Sequence, residues 1–259
     1  MKIAIVGYGK MGHMIENSAR SFGHEIAVTV DVMSKDAACI VPQGDYDAVA
    51  KAVKESGAEG IIEFSHPSSV MGNITALLPL GIPLVVGTTG WNDKKEYVNE
   101  LAQKCGGVVM TSANFSIGVN MLYKIIEEAA KLVSQFDEYD ASIFEAHHNQ
   151  KADSPSGTAL DIAKHLLKNY PKKDTIVTES FHEKPKANEL HVASMRVGSV
   201  PGTHTVFFDS NADTIEITHR ARSREGFANG AVHALERLYD GIKSGKLANG
   251  RLYSMEDLL

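Results

Sequence analysis

Short apolar runs alternate with stretches of helical period through the first hundred residues of the chain. Ile3–Val6 reads as a strand, Met11–Phe22 as a helix and Glu25–Asp31 as a second strand, which is one βαβ unit. The alternation continues with helices over Tyr46–Glu55, Ser68–Leu78 and Asp93–Lys104, set among buried runs at Gly60–Ser65, Leu84–Gly87 and Gly107–Thr111. Such a pattern predicts a parallel, doubly wound α/β sheet. A helix over Asn120–Val133 follows, its apolar residues Met121, Leu122, Ile125, Ile126, Ala129, Ala130 and Val133 recurring at helical spacing.

Beyond that helix the period changes. Tyr139–His148, Thr175–His182, His191–Val197, His204–Asp209 and Thr214–Ala221 read as strands, with a single helix at Thr158–Asn169 and a hairpin around Ser210–Asp213. Four strands without intervening helices predict an α+β sheet domain. The last helix, Phe227–Ile242, stands apart from this block and is expected to return to the first domain. The expected organisation is residues 1–118, rejoined by 226–259, and a second domain over 119–225.

A length of 259 residues accommodates two modest domains. Lys and Arg number 26 against 32 Asp and Glu, so the net charge of −6 disfavours a nucleic-acid or anionic-membrane partner, and an anionic ligand requires a local cationic pocket. Cys39 and Cys105 are far apart and form no CxxC, which points away from a disulfide framework or zinc site and toward a reducing cytoplasm. The longest apolar stretch, Ala76–Val86, is too short for a bilayer and contains Pro79 and Pro83. The run before Gly7 is short and Lys10 interrupts it, so no signal-peptide core is expected.

Gly7-Tyr8-Gly9-Lys10-Met11-Gly12 is GxGxxG between a predicted strand and a predicted helix, the context in which this motif signals a Rossmann dinucleotide site. Gly7 allows the tight turn, Gly9 the approach of a pyrophosphate, and Gly12 close helix packing. Asp31, nineteen residues after Gly12 at the end of the second strand, is placed to accept from a ribose hydroxyl. Its charge leans toward NADH, whereas Ser34 and Lys35 just beyond offer a place for a 2′-phosphate, so the sequence is compatible with either cofactor. Ligands collect beyond the carboxyl ends of such strands, which places Phe64-Ser65-His66 and Gly87-Thr88-Thr89-Gly90 at the cofactor, with His66 read as a turn residue before Pro67.

A second constellation runs from Glu145 to Thr158. His147 and His148 are adjacent on an extended segment and point to opposite faces, Lys151 adds a positive charge, and Ser156 or Asp153 is placed to cap the following helix. The amides of Gly157 and Thr158 then form an anion-binding N-terminus. Two histidines with Asp153 offer metal ligands, yet no HExxH or comparable spacing accompanies them, and no metal is expected.

The stretch Glu-Ala-His-His-x-x-Lys-x-Asp-x-Pro-Ser-Gly-Thr-Ala at 145–159 resembles the signature of the 4-hydroxy-tetrahydrodipicolinate (dihydrodipicolinate) reductases of lysine and diaminopimelate synthesis. The resemblance extends over Val86–Gly90, Ser112–Ser116, Arg196-Val197-Gly198, Pro201–His204, Ile217–His219 and Phe227–Ala231, so that it covers essentially the whole chain. It implies a cytoplasmic NADH- or NADPH-dependent reductase acting on a small dicarboxylate, with a mixed-sheet domain used in homotetramer assembly. It further implies that His147 is a catalytic proton donor or acceptor, that Lys151 is a second catalytic proton donor, and that His148, Ser156, Gly157 and Thr158 hold substrate. The segment Gly7–Gly12, Asp31, Gly87, Thr88, Thr89, Ser112, Ala113, Asn114 and Phe115 would contact the cofactor, and Arg224 would lie near substrate. Three positions depart from the pattern: the glycine loop is one residue shorter than GxxGxMG, Ser154 stands where Ala is usual, and Val32 follows Asp31 where some members place arginine. A nicotinamide-binding sensor without turnover is the rival reading, for which His147 and Lys151 would be dispensable. Another dehydrogenase on the same scaffold is disfavoured by the signature at 145–159.

Overall fold

The computed structural model describes residues 1–257, which divide into two compact units, one formed by Met1–Ser116 with the chain from Glu225 onward and the other by Ile117–Arg224. In the first unit β1 (Lys2–Val6), α1 (Lys10–Ser21), β2 (Glu25–Asp31), β3 (Cys39–Ile40), α2 (Tyr46–Glu55), β4 (Gly60–Glu63), α3 (Val70–Leu77), β5 (Leu84–Val86), α4 (Lys95–Cys105) and β6 (Val108–Thr111) alternate. In the second, α5 (Ile117–Val133), β7 (Asp140–His147), α6 (Gly157–Leu167), β8 (Thr175–Val177), β9 (Glu189–Arg196), β10 (Thr203–Asp209) and β11 (Thr214–Arg220) follow; α7 (Glu225–Lys243) and β12 (Arg251–Tyr253) belong to the first unit again.

The first unit carries a seven-stranded sheet in the order β12-β6-β5-β4-β1-β2-β3, every pairing parallel. Its central strands are mostly apolar, with Ile3, Ala4, Ile5, Ile61, Ile62, Leu84, Val85 and Val86 all buried, because helices cover both faces. The switch in strand order lies between β1 and β4, where a doubly wound sheet opens its ligand crevice. Two strands have no counterpart in the sequence reading: β3 and β12 are two and three residues long and extend the sheet at its edges, too short to produce a period. Helix α7 packs on α1 and β4 within this unit, and Ser18 Oγ donates to Asn229 Oδ1 across that contact at 2.7 Å.

The second unit is a mixed five-stranded sheet ordered β11-β10-β7-β9-β8. β10 is antiparallel to β7 and β11, whereas β9 is parallel to β7 and β8. α5 and α6 cover one face over a core of Ile143, Val192, Val206, Phe208, Ile126 and Leu166. β8 stops at Val177 rather than reaching His182, its parallel pairing with β9 running only from Thr175 opposite Glu189 to Val177 opposite His191. α5 starts at Ile117, three residues ahead of the expected Asn120. No helix among the described residues is long and apolar enough to cross a membrane.

Candidate active site

In the first unit the carboxyl ends of β1, β2, β4, β5 and β6 bring the glycine loop, Asp31, Phe64–His66, Gly87–Thr89 and Ser112–Phe115 to one edge of the sheet. Gly7 has φ +91°, and a Cβ there would lie 2.2 Å from the Phe64 carbonyl oxygen, so only glycine fits. At Gly9 a Cβ would meet nothing within 4 Å, leaving open approach to the backbone at the start of α1. No side chain caps α1, which leaves its first-turn N–H groups for an anion. These features fit the pyrophosphate of a dinucleotide.

Asp31 is fixed by backbone donors. Tyr8 N donates to Oδ2 at 2.7 Å, while Met33 N and Ser34 N donate to Oδ1 at 2.8 and 2.9 Å. Burial pushes the carboxyl up, but these amides outweigh it and hold its pKa below the ordinary value. The result is a negative charge on a cleft lined by Gly7, Gly9, Asp31, Val41, Pro42 and Tyr46, among others. The apolar wall from Val41, Pro42 and Tyr46 carries no sequence motif, since it arises only where the chain after β3 folds back. His66 turns out as a turn residue, with Nδ1 2.8 Å from Ser68 Oγ and its carbonyl accepting from Ser69 N and Val70 N. Thr88 accepts Trp91 Nε1–H on its carbonyl at 2.8 Å, and Ser112 Oγ and Asn114 hold one another through 2.8 and 3.1 Å bonds, so both loops are rigidly shaped. Glu63, missed by the sequence reading, lies fully buried beneath this edge; burial raises its pKa although Ser65 and Asn73 donate to it.

In the second unit the constellation at 145–158 is built on adjacent strands. Residues two apart on β7 share a face, so Glu145 and His147 point the same way, and the register sets Ser194 and Arg196 of β9 beside them on one side and His204 of β10 opposite Glu145 on the other. Glu145 is wholly buried. Its Oε1 accepts from Ser194 Oγ at 2.7 Å, Arg196 Nη1 at 2.8 Å and Ser156 N at 3.2 Å, while Oε2 is bonded to His147 Nδ1. Burial alone would raise the Glu145 pKa; the bonds from Ser194, Arg196 and His147 hold it below the usual carboxylate value. It is therefore a carboxylate, and Nδ1 of His147 carries the proton in that bond. In the neutral ring Nε2 of His147 is then the unprotonated nitrogen. Burial lowers the imidazole's pKa, with Glu145 opposing and Lys151 and Arg196 reinforcing the shift.

His204, edge-on to His147 with ring centroids 5.2 Å apart, is held neutral, its pKa driven down to about 4 chiefly by burial. Glu145, His147 and His204 place ligand-type atoms within 4.8 Å of one another. The Glu145 oxygens are already engaged by Arg196, Ser194, Ser156 and His147, so this donor set serves an internal network.

Ser156 caps α6 through its side chain, accepting from Ala159 N at 3.2 Å, as one of the two expected caps. Asp153 does not cap in its place. Its carboxylate takes Lys151 Nζ at 2.8 Å and the Gly157 N–H, and the Lys151 bond is the main reason that its pKa is lowered. The position between a cationic side chain and a helix N-terminus is thus filled by a half-exposed carboxylate of the chain itself. His148, one residue beyond His147, is half-buried, and its Nδ1 has no partner. The two adjacent histidines thus lie in different surroundings.

Residues 1–115 match the family described as "Dihydrodipicolinate reductase, N-terminus" and residues 118–259 the one described as "Dihydrodipicolinate reductase, C-terminus". The chain is 35% identical over its whole length to 98% of 4-hydroxy-tetrahydrodipicolinate reductase of Christiangramia forsetii. It is 36% identical to the enzyme of that name from Archaeoglobus fulgidus, with both chains covered in full. Among solved structures, dipicolinate-bound dihydrodipicolinate reductase from Paenisporosarcina sp. TG-14 shares the fold, with a TM-score of 0.78 and 20% identity over 100% of this chain and 99% of that one. With both halves matched along their length, the chain belongs to the dihydrodipicolinate reductase family.

Proposed function

We propose that this protein reduces 4-hydroxy-tetrahydrodipicolinate to tetrahydrodipicolinate with NADH or NADPH in lysine and diaminopimelate biosynthesis, with His147 and Lys151 as its proton-handling residues. The observation that carries the assignment of roles is the buried Glu145–His147 pair set beside Lys151 and the N-terminus of α6. The nicotinamide supplies a hydride when bound; Gly7–Gly12, Asp31, Gly87–Thr89 and Ser112–Phe115 are the segments assigned to hold the dinucleotide. Asp31, ionised and facing the cleft, favours NADH by repelling a 2′-phosphate.

The reaction removes water from the hydroxy adduct, adds hydride to the ring and places a proton on the resulting enamine carbon. His147 presents Nε2 for that proton, since Nδ1 is committed to Glu145. A positioned acid of this kind contributes about 10²- to 10⁴-fold in rate. Lys151 leaves Asp153 to pair with a substrate carboxylate, where the amides of Gly157 and Thr158 add the positive end of α6. Ser156 fixes that helix end, and His148 supplies a further donor to the dicarboxylate.

The outer face of the second sheet carries Phe144, Phe207, Ala193 and Met195, which the helices on the opposite face leave uncovered. This face suits association of four copies in the cytoplasm, and light scattering giving a monomer mass would remove that part of the proposal. Dipicolinate, the planar dicarboxylate named with the Paenisporosarcina protein, serves as a binding probe for the site itself. Calorimetric titration is expected to give saturable binding that Lys151→Ala weakens at least about tenfold, the value of one charge-assisted bond. Equal binding to both proteins would contradict the role given to Lys151.

A further inference from the structure

Arg196 ends β9 directly beside His147 in the β7–β9 register. Its guanidinium is spread over several acceptors: Nη1 donates to Glu145 Oε1 and to Met195 O, both at 2.8 Å, Nε donates to Lys151 O at 3.2 Å, and Nη2 donates to Asp153 O. Neutralising Glu145 needs only the first of these. The bonds to residues 151 and 153 run to the main chain of the loop whose side chains form the Lys151–Asp153 pair, so the backbone is gripped while both side chains stay free to turn.

We propose that Arg196 is a positioning residue that registers the main chain of the 151–153 loop against the Glu145–His147 pair, fixing the root of Lys151 while its ammonium exchanges Asp153 for a substrate carboxylate. This rests on the reductase reading above. A planar fork with fixed donors performs such a task and a lysine does not, since an ammonium is a point charge on a flexible stem. Arg196→Lys therefore separates two roles: it keeps a cation for Glu145 and removes the grip on the loop.

The experiment has an arm that needs no turnover. Hydrogen exchange of a peptide spanning residues 149–156 is expected to quicken in Arg196→Lys while the peptides of β7 and β10 keep their protection; unchanged exchange at 149–156 overturns the proposal. In the turnover arm, a misplacement of about 1 Å predicts roughly a 100-fold fall in kcat/KM with NADH affinity unchanged. In a Lys151→Ala background the same substitution is expected to cost less than about threefold, because residues acting through one another are not additive. The full loss persisting without Lys151, or wild-type kcat/KM in Arg196→Lys, overturns it. Should Arg196→Lys fail to fold, Arg196→Gln, which retains an amide donor of neutral charge, is read by the same exchange comparison. A wild-type protein without reductase turnover defeats the functional reading, and the exchange arm still decides whether Arg196 holds the loop.

Discussion

Replacing Glu145 by Gln tests the proposed role of His147 in proton transfer. Three donors converge on Oε1, from Ser194, Arg196 and the Ser156 amide, so the oxygen of a glutamine must occupy that position. Its NH₂ group is then forced toward His147 Nδ1, where Oε2 of the glutamate accepted. A donor facing Nδ1 is compatible only with the neutral imidazole protonated at Nε2, and the imidazolium loses its ionic hydrogen bond. Such a bond is worth about 1.5–3 kcal/mol, which moves the imidazole pKa down by about one to two units. At pH 7 the protonated acid becomes roughly 10- to 100-fold scarcer, and kcat falls in proportion. The assay is a pH profile of nicotinamide oxidation between pH 5 and 9, in which the alkaline limb of kcat shifts to lower pH while the dissociation constant for NADH stays that of the unaltered protein. A Glu145→Gln protein with the wild-type alkaline limb, or one whose loss is confined to KM, would refute the orientation of His147 through Nδ1.

Three further outcomes follow from the geometry. Asp31→Ser removes the fixed charge from the cleft and is expected to weaken NADH about 10- to 100-fold and to improve NADPH relative to it, read by fluorescence titration of the reduced cofactors; an unchanged ratio would contradict the placement of Asp31. Gly230→Ala would set a Cβ 1.7 Å from the Phe115 carbonyl oxygen, so the main chain must move, and a loss of about 3 kcal/mol, the upper end for overpacking, is expected from chemical denaturation, with an unshifted midpoint as the refuting result. His204 has a pKa of about 4 in the folded protein against 6.5 when free, so the unfolded chain takes up the proton first. Stability is full above pH 6.5 and declines as the pH falls toward 4, by on the order of 3 kcal/mol from this residue, with His147 and His219 adding in the same direction. Denaturation midpoints measured from pH 7 to 4 are expected to fall less steeply in His204→Asn; an equal slope would show that His204 is not the buried neutral group.

The parallel sheet was legible in the sequence because its strands are buried on both faces and separated by helices of clear period, and the glycine loop and Asp31 fall where a βαβ unit requires them. β3 and β12 were not legible, since two or three residues at a sheet edge leave no pattern. In the candidate site, the 145–158 segment stood out because its polar residues are contiguous, and the cap at Ser156 follows from local chemistry alone. The partners that shape it do not. Ser194, Arg196 and His204 reach Glu145 through strand register, set by pairings 49 to 59 residues distant in the chain, and no local signal encodes which residues face one another. Glu145 carried one usable signal, its place two residues before His147 on a strand, which puts both on one face. The pairing of Lys151 with Asp153 needed the loop conformation, in which a side chain two residues away turns back on the same helix end.

The most direct test of the central claim is the oxidation of reduced nicotinamide by the purified protein, with substrate generated in place from pyruvate and aspartate semialdehyde. Rapid oxidation is expected that depends on the substrate-generating enzyme, proceeds faster with NADH than with NADPH, and falls by about 10²- to 10⁴-fold in His147→Gln. Demonstrated cofactor binding with no substrate-dependent oxidation, or wild-type turnover in His147→Gln, would contradict it.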